Sequence, residues 1–186
     1  MIPPENSPDA HFEQLVGKKI GSGTSRCVHE LNGDNSKVIK IAKQPPADSD
    51  ANPSICNFNE WKLYTHAKNT GLAKVESALA EVFSISETGK YLIMEKLVTP
   101  LPASQRSNMK YPSCISDAKA ENFGMSGSTV KMLDYAALHN DFAINSQIDT
   151  STIKDQLTVI QLSDINGLYD IASKLNDIYG DSEPLP

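Results

Sequence analysis

Ile115-Ser116-Asp117-Ala118-Lys119-Ala120-Glu121-Asn122-Phe123-Gly124, followed by Val130-Lys131-Met132-Leu133-Asp134-Tyr135-Ala136, is the stretch around which the chain is organised. Taken alone, Asp117, Lys119 and Asn122 are polar residues of a charged surface turn behind a polar linker. Taken with Asp134, twelve residues after Asn122, they form a set suited to phosphoryl transfer. In such a set one carboxylate orients a hydroxyl and a lysine neutralises the moving phosphate, while an Asn and a second Asp hold Mg²⁺. The residues upstream decide between the two readings.

Leu15-Val16-Gly17-Lys18-Lys19-Ile20 reads as a strand running into Gly21-Ser22-Gly23-Thr24-Ser25-Arg26-Cys27-Val28. Residues 27–31 form a second strand, Asn32-Gly33-Asp34-Asn35 a hairpin turn, and Lys37-Val38-Ile39-Lys40-Ile41 a third strand. Gly21 and Gly23 let backbone N–H groups approach phosphates without Cβ clashes, although a Gly-x-Gly pair also occurs in ordinary hairpins. Lys40 is more telling, because a charge flanked by Val and Ile is costly to bury without a partner. Behind a Pro/Asp/Ser-rich loop (44–53), residues 55–68 have helical spacing, with Ile55, Phe58, Trp61, Leu63, Tyr64 and Ala67 apolar. Glu60 lies among these and is the candidate partner of Lys40; the plainer alternative is a solvated helix glutamate. Gly71-Leu72 ends the helix. Two further strands, 79–85 and 91–95, are joined by Ser86-Glu87-Thr88-Gly89.

This order of strands, glycine loop, internal lysine and helix glutamate resembles the N-terminal lobe of protein kinases. Asp-x-Lys-x-x-Asn at 117–122 is similar to their catalytic loop, and Leu133-Asp134-Tyr135-Ala136 to their Asp-Phe-Gly strand end. The resemblance implies an α+β fold: a five-stranded antiparallel N-lobe with one helix over 12–97, and a reduced, mainly helical C-lobe over 98–186. It places ATP between the lobes against Gly21, Ser22, Gly23 and Val28, with Met94 as gatekeeper and the backbone of Glu95 and Leu97 at the adenine edge. Lys40, held by Glu60, would reach the α/β-phosphates, and Asn122 and Asp134 would hold Mg²⁺. Asp117 would orient a Ser or Thr hydroxyl, and Lys119 would stabilise the charge on the transferred group. The implied activity is Ser/Thr protein phosphorylation, because small-molecule phosphotransferases of this superfamily usually lack a lysine at the position of Lys119. A nucleotide-binding pseudokinase and a small-molecule phosphotransferase are the alternatives. Compact kinases with stripped C-lobes are similar to bacterial effector or phage kinases that act inside another cell. The implied setting is therefore cytoplasmic, with delivery into a host cell as one option, and with a monomeric chain and a protein substrate.

Several residues depart from the family pattern. Arg26 stands where a third glycine is expected, Ile115-Ser116 where His-Arg precedes the catalytic Asp, and Ala136 where the last glycine is expected. Without that Arg, a phosphorylated activation loop would have no partner, so control by such phosphorylation is not expected. Only residues 99–116 separate the hinge from Asp117, too few for the two helices kinases place there. Residues 104–111 could form at most a short helical piece.

The rest of the sequence bounds these readings. Seventeen Lys and Arg against 23 Asp and Glu give a net charge of −6, which argues against nucleic acid as the main partner. No apolar run approaches the roughly 20 residues that span a bilayer, and the N-terminus lacks the basic and apolar regions of a secretory signal. Cys27, Cys56 and Cys114 are odd in number and far apart, which suits a reducing compartment and no zinc site. Residues 1–11, rich in Pro, Asn and Asp, read as a flexible leader. Residues 138–148 read as irregular, 152–162 as mildly helical, and 164–179, behind Ser163 as N-cap, as a helix with Ile165, Leu168, Ile171, Leu175 and Ile178 on one face.

Overall fold

Runs of Val, Ile and Leu set apart by glycine-bearing turns fold into an antiparallel meander near the N-terminus. The computed structural model describes residues 1–45, 52, 54–139, 143–144, 147–148 and 153–159. Strands β1 (Val16–Ser22), β2 (Arg26–Leu31) and β3 (Asp34–Ala42) pair in sequence. Gly33, at φ +84°, turns the chain between β2 and β3. Strands β4 (Val82–Ile85) and β5 (Tyr91–Glu95) complete a five-stranded sheet in the order β1-β2-β3-β5-β4. Every pairing in it is antiparallel. The fold class is α+β, as expected.

Strand periodicity splits the side chains between two layers. On one face, Val38, Leu92 and Met94 join the main core with Leu63, Tyr64 and Ala67 of helix α2 (Ile55–Thr70). On the other, Ile39, Tyr91 and Ile93 form a second cluster around Phe12. Helix α2 ends as its Gly71 predicts, in a left-handed cap at φ +72° whose N–H bonds the Ala67 carbonyl. A helix the sequence reading did not anticipate, α3 (Ala73–Ala78), immediately precedes the expected strand 79–85, of which Val82–Ile85 form β4. Its N-terminal amides, Lys74 and Val75, are capped by the Asp155 carboxylate at 2.8 and 3.0 Å.

The first eleven residues are placed against the sheet, in contrast to the flexible leader expected from their composition. The Asn6 N–H bonds the Ile85 carbonyl at 2.9 Å, Ser7 bridges to Ser86, and the Asp9 carboxylate accepts from the Thr88 hydroxyl. The short helix α1 (Asp9–Glu13) delivers Phe12, fully buried and stacked on Tyr91 with ring centroids 6.1 Å apart. The physical reason is the apolar outer face of the sheet, which needs a cover.

After Val98 the described residues carry only two short 3-10 turns (Ala103–Asn108 and Ala120–Asn122) and small ladders. The expected mainly helical second half is therefore corrected for these residues. Strands β7 (Phe123–Ser126) and β8 (Thr129–Met132) form a hairpin turning at Gly127, φ +57°. Strand β6 (Lys110–Pro112) pairs with residues 157–159, where a helix was expected. Leu157-Thr158-Val159 has β-forming residues, and an edge of β6 is available to it, which outweighs the helical spacing of Ile153 and Leu157. Within 138–148, expected to be irregular, Ala143–Ile144 and Gln147–Ile148 pair as two-residue strands. The expected helix 164–179 lies outside the described residues. Among the described residues no helix is long and apolar enough to cross a membrane.

Replacing Phe12 by Ala is expected to lower unfolding stability by about 3–5 kcal/mol, the cost of deleting a buried ring. Denaturant titration reads this. A change under 1 kcal/mol would show that the N-terminal segment does not cover the sheet in solution.

Candidate functional site

Lys40 sits on the face of β3 that looks toward α2, because Val38 and Lys40 share that face. It is 3% exposed, and its ammonium donates to both oxygens of Glu60, at 2.8 and 2.9 Å, and to the Leu133 carbonyl at 2.6 Å. Glu60, on the second turn of α2, is fully buried and also accepts the Tyr135 N–H at 3.1 Å. The structure thus brings together the lysine and glutamate that the sequence singled out. Burial pushes the Lys40 pKa down, with the Glu60 carboxylate acting in the opposite direction.

Two further residues belong to this cluster and were missed. Arg26, the first residue of β2, donates from Nη1 and Nη2 to Glu60 at 2.6 and 3.1 Å, and from Nη2 to Asp134 at 2.7 Å. Burial alone would lower its pKa, but the carboxylates of Glu60 and Asp134 outweigh it and the net direction is up. Asn57, one turn before Glu60, accepts from Arg26 at 3.3 Å and donates to the carbonyls of Gly89 and Lys90 at 2.8 and 3.1 Å. Arg26 had a readable signal. Arg26, Val28 and Lys40 fall on one face of paired strands, since Val28 lies opposite Lys40 in the ladder. The arginine was read instead only as a missing glycine.

Beside the cluster lie two adjoining hollows that share Val28, Lys40 and Leu133. The first is edged by Ile20, Gly21, Val38, Met94, Glu95 and Leu97. The Glu95 N–H is already given to the Glu81 carbonyl at 2.8 Å. The second is edged by Gly23, Thr24, Arg26, Asp117, Lys119 and Asp134. Ser22 borders neither, and its hydroxyl lies 3.7 Å from the Cys27 sulfur. Gly21 and Gly23 have no left-handed φ, and a Cβ at either would make only ordinary contacts, so nothing within the chain requires glycine there.

Of the polar residues of the opening stretch, Asp117, Lys119 and Asp134 border the second hollow, whereas Asn122 borders neither. Asp117 and Lys119 pair at 3.0 Å and are each about half exposed. Asp117 and the hydrogen bond between them raise the Lys119 pKa. Asn122 is 6% exposed and its side-chain amide donates to the Asp117 carbonyl at 2.8 Å, while its backbone carbonyl accepts the Leu133 N–H at 2.7 Å. These bonds tie the 3-10 turn to the residue before Asp134. Burial would raise the Asp134 pKa, but Lys40 and Arg26 outweigh it and hold the carboxyl below the usual aspartate range. Asp134 and Asn122 offer the hard oxygen donors that suit Mg²⁺. Among the described residues no three His, Cys, Asp or Glu side chains cluster as metal ligands. A Mg²⁺ ion here would therefore complete its shell with phosphate oxygens and water, which is its usual habit.

No protein-family model matches the chain, and no curated protein matches it by sequence. The geometry of the site carries the functional argument by itself.

Glu60→Gln should cost about 3–5 kcal/mol, because it leaves the Lys40 and Arg26 cations facing each other without their shared anion. Lys40→Met should cost less, since Arg26 still neutralises Glu60. Denaturant unfolding of both variants tests the order, and a less stable Lys40→Met would overturn the account of the cluster.

Proposed function

We propose that the chain is a minimal protein kinase that transfers the γ-phosphate of ATP to Ser or Thr hydroxyls of a protein substrate, with Mg²⁺. One observation carries this reading. Lys40, paired with the buried Glu60, borders the same hollow as Asp117, Lys119 and Asp134, with an apolar hollow adjoining it. A five-stranded antiparallel sheet with α2 packed on it also agrees with what the sequence resemblance implies for a nucleotide-binding lobe.

In this reading the apolar hollow, lined by Val28, Val38, Met94 and Leu133 among others, takes the adenine. Lys40, whose position Glu60 dictates, contacts the phosphates. Asp134 and Asn122 would hold Mg²⁺, whose charge would offset that of the phosphates. Asp117, exposed at the rim, accepts the hydrogen bond of an incoming hydroxyl and aims its oxygen for in-line attack. Lys119, two residues on, stabilises the charge of the transferred group, and its pairing with Asp117 keeps both side chains at the rim.

A second reading is a nucleotide-binding pseudokinase. The observation that favours it is the Arg26–Asp134 ion pair, which engages the carboxylate that the metal would use.

The two readings part at Asp117. This residue acts while phosphate moves and contributes little to nucleotide affinity, so Asp117→Asn should leave MgATP affinity nearly unchanged. Phosphate transfer should fall by about a thousandfold or more, as for an interaction used only at the transition state. Incubation with γ-labelled ATP, Mg²⁺ and a cell lysate reads transfer directly. Label on a protein with wild type but not with Asp117→Asn supports the kinase. Binding of MgATP without any labelling would transfer the case to the pseudokinase, and labelling of small molecules alone would indicate another acceptor class.

A further inference from the structure

Arg26 is the residue of the site to which the roles above assign nothing. Its side chain is 7% exposed and forks between two carboxylates with different needs. Glu60 is satisfied without it, through Lys40 and the Tyr135 N–H. Asp134 is 46% exposed at the edge of the second hollow, and Arg26 is the ion-pair partner the structure gives it.

A charge count shows what this arrangement does. Arg26 and Lys40 carry two positive charges, and Glu60 and Asp134 carry two negative ones, so the cluster is neutral as it stands. A divalent cation that takes Asp134 leaves Arg26 and Lys40 with Glu60 alone. One positive charge then has no match among these buried side chains, where an unpaired charge is costly. A phosphate is the anion whose geometry suits a guanidinium fork. Arg26 borders that hollow together with the Gly23-Thr24-Ser25 turn.

The geometry points to a partner exchange: Arg26 and a divalent cation compete for Asp134, and Arg26, once displaced, becomes a ligand for the nucleotide's phosphates. This rests on the nucleotide-and-metal reading given above. Metal arriving alone must strand the Arg26 charge, and phosphate arriving alone must draw Arg26 away from Asp134. Each therefore favours the other by the same factor, as coupled binding requires. Arg26 makes the site responsive to the metal–nucleotide complex in preference to either component.

The test uses two probes that need no turnover. Mn²⁺ without nucleotide is followed by the electron paramagnetic resonance of the free ion. Arg26→Gln should bind one Mn²⁺ about tenfold more tightly than wild type, because a cation a few ångströms away has been removed. The double variant Arg26→Gln/Asp134→Asn should lose that site. A merely structural arginine would weaken metal binding on removal or leave it unchanged, so equal or weaker affinity overturns the exchange. In the second arm, metal-free ATP is titrated in the presence of EDTA. Asp134→Asn should bind it more tightly than wild type, and Arg26→Gln should erase that gain; a gain that survives Arg26→Gln overturns the phosphate-ligand role. Arg26→Lys, which keeps the charge but not the fork, serves if Arg26→Gln fails to fold, and should show intermediate Mn²⁺ affinity. Wild type that binds neither Mn²⁺ADP nor Mn²⁺ATP would remove the nucleotide reading itself. Wild type that binds them while Arg26→Gln leaves Mn²⁺ affinity unchanged would remove only the exchange.

Discussion

One fully buried carboxylate organises this molecule. Glu60 can be ionised inside the core only if its lone pairs are filled, since an uncompensated buried charge costs several kcal/mol. Lys40 comes to it from β3, Arg26 from the start of β2, and the Tyr135 N–H from the segment after β8. Lys40 in turn holds the Leu133 carbonyl. Three segments distant in sequence are thus fixed by one side chain of α2. The assembled site is part of the folded state, and no outside event is needed to bring Lys40 to Glu60.

A second carboxylate fixes the sheet to the hairpin. Glu95, at the end of β5, accepts from the Ser126 hydroxyl, from Lys131 at 2.9 Å and from the Glu81 N–H at 3.1 Å. Burial works against its charge, but these bonds outweigh burial and hold its pKa below the ordinary glutamate range. Val98 and Met125 exchange backbone hydrogen bonds at 2.9 and 3.0 Å beside it. Gly124 explains its residue type here: a Cβ would lie 2.7 Å from the Leu97 Cβ and 2.9 Å from the Val98 carbonyl. The ladder that carries Asn122 and Asp134 at its ends is thereby held against the rim of the apolar hollow.

The sheet and α2 were legible because their signals are local. Alternating Val and Ile, an Asn-Gly turn and a Gly71 cap each act within a few residues. The pairing of Lys40 with Glu60 was legible for an energetic reason, since a lysine among β-branched residues demands an anion. Asn57 was not, because its worth depends on a cluster that exists only once β2 lies over α2, and Arg26, which shares a strand face with Lys40, was read only against a glycine pattern. The second half was read poorly for the same kind of reason. Ile153 and Leu157 have helical spacing in the chain, and the β-forming character of 157–159 prevails only where the edge of β6 offers a partner. The docking of the first eleven residues follows from the bare outer face of the sheet beside Ile85 and Ser86, 79 residues from the Asn6 and Ser7 that pair with them, which their own composition does not express.

The cap on α3 sets an order on assembly. The amides of Lys74 and Val75 wait for a carboxylate 80 residues downstream, and the partner strand of β6 lies in the same late segment. During synthesis the sheet and α2 can close as soon as β5 has emerged, because their contacts are made by then. The first turn of α3 and the outer edge of β6 stay open until residues 153–159 leave the ribosome. The sheet and most of α2 are thus free to settle early, while α3 and β6 are completed last, by a closure of about 80 residues for the α3 cap.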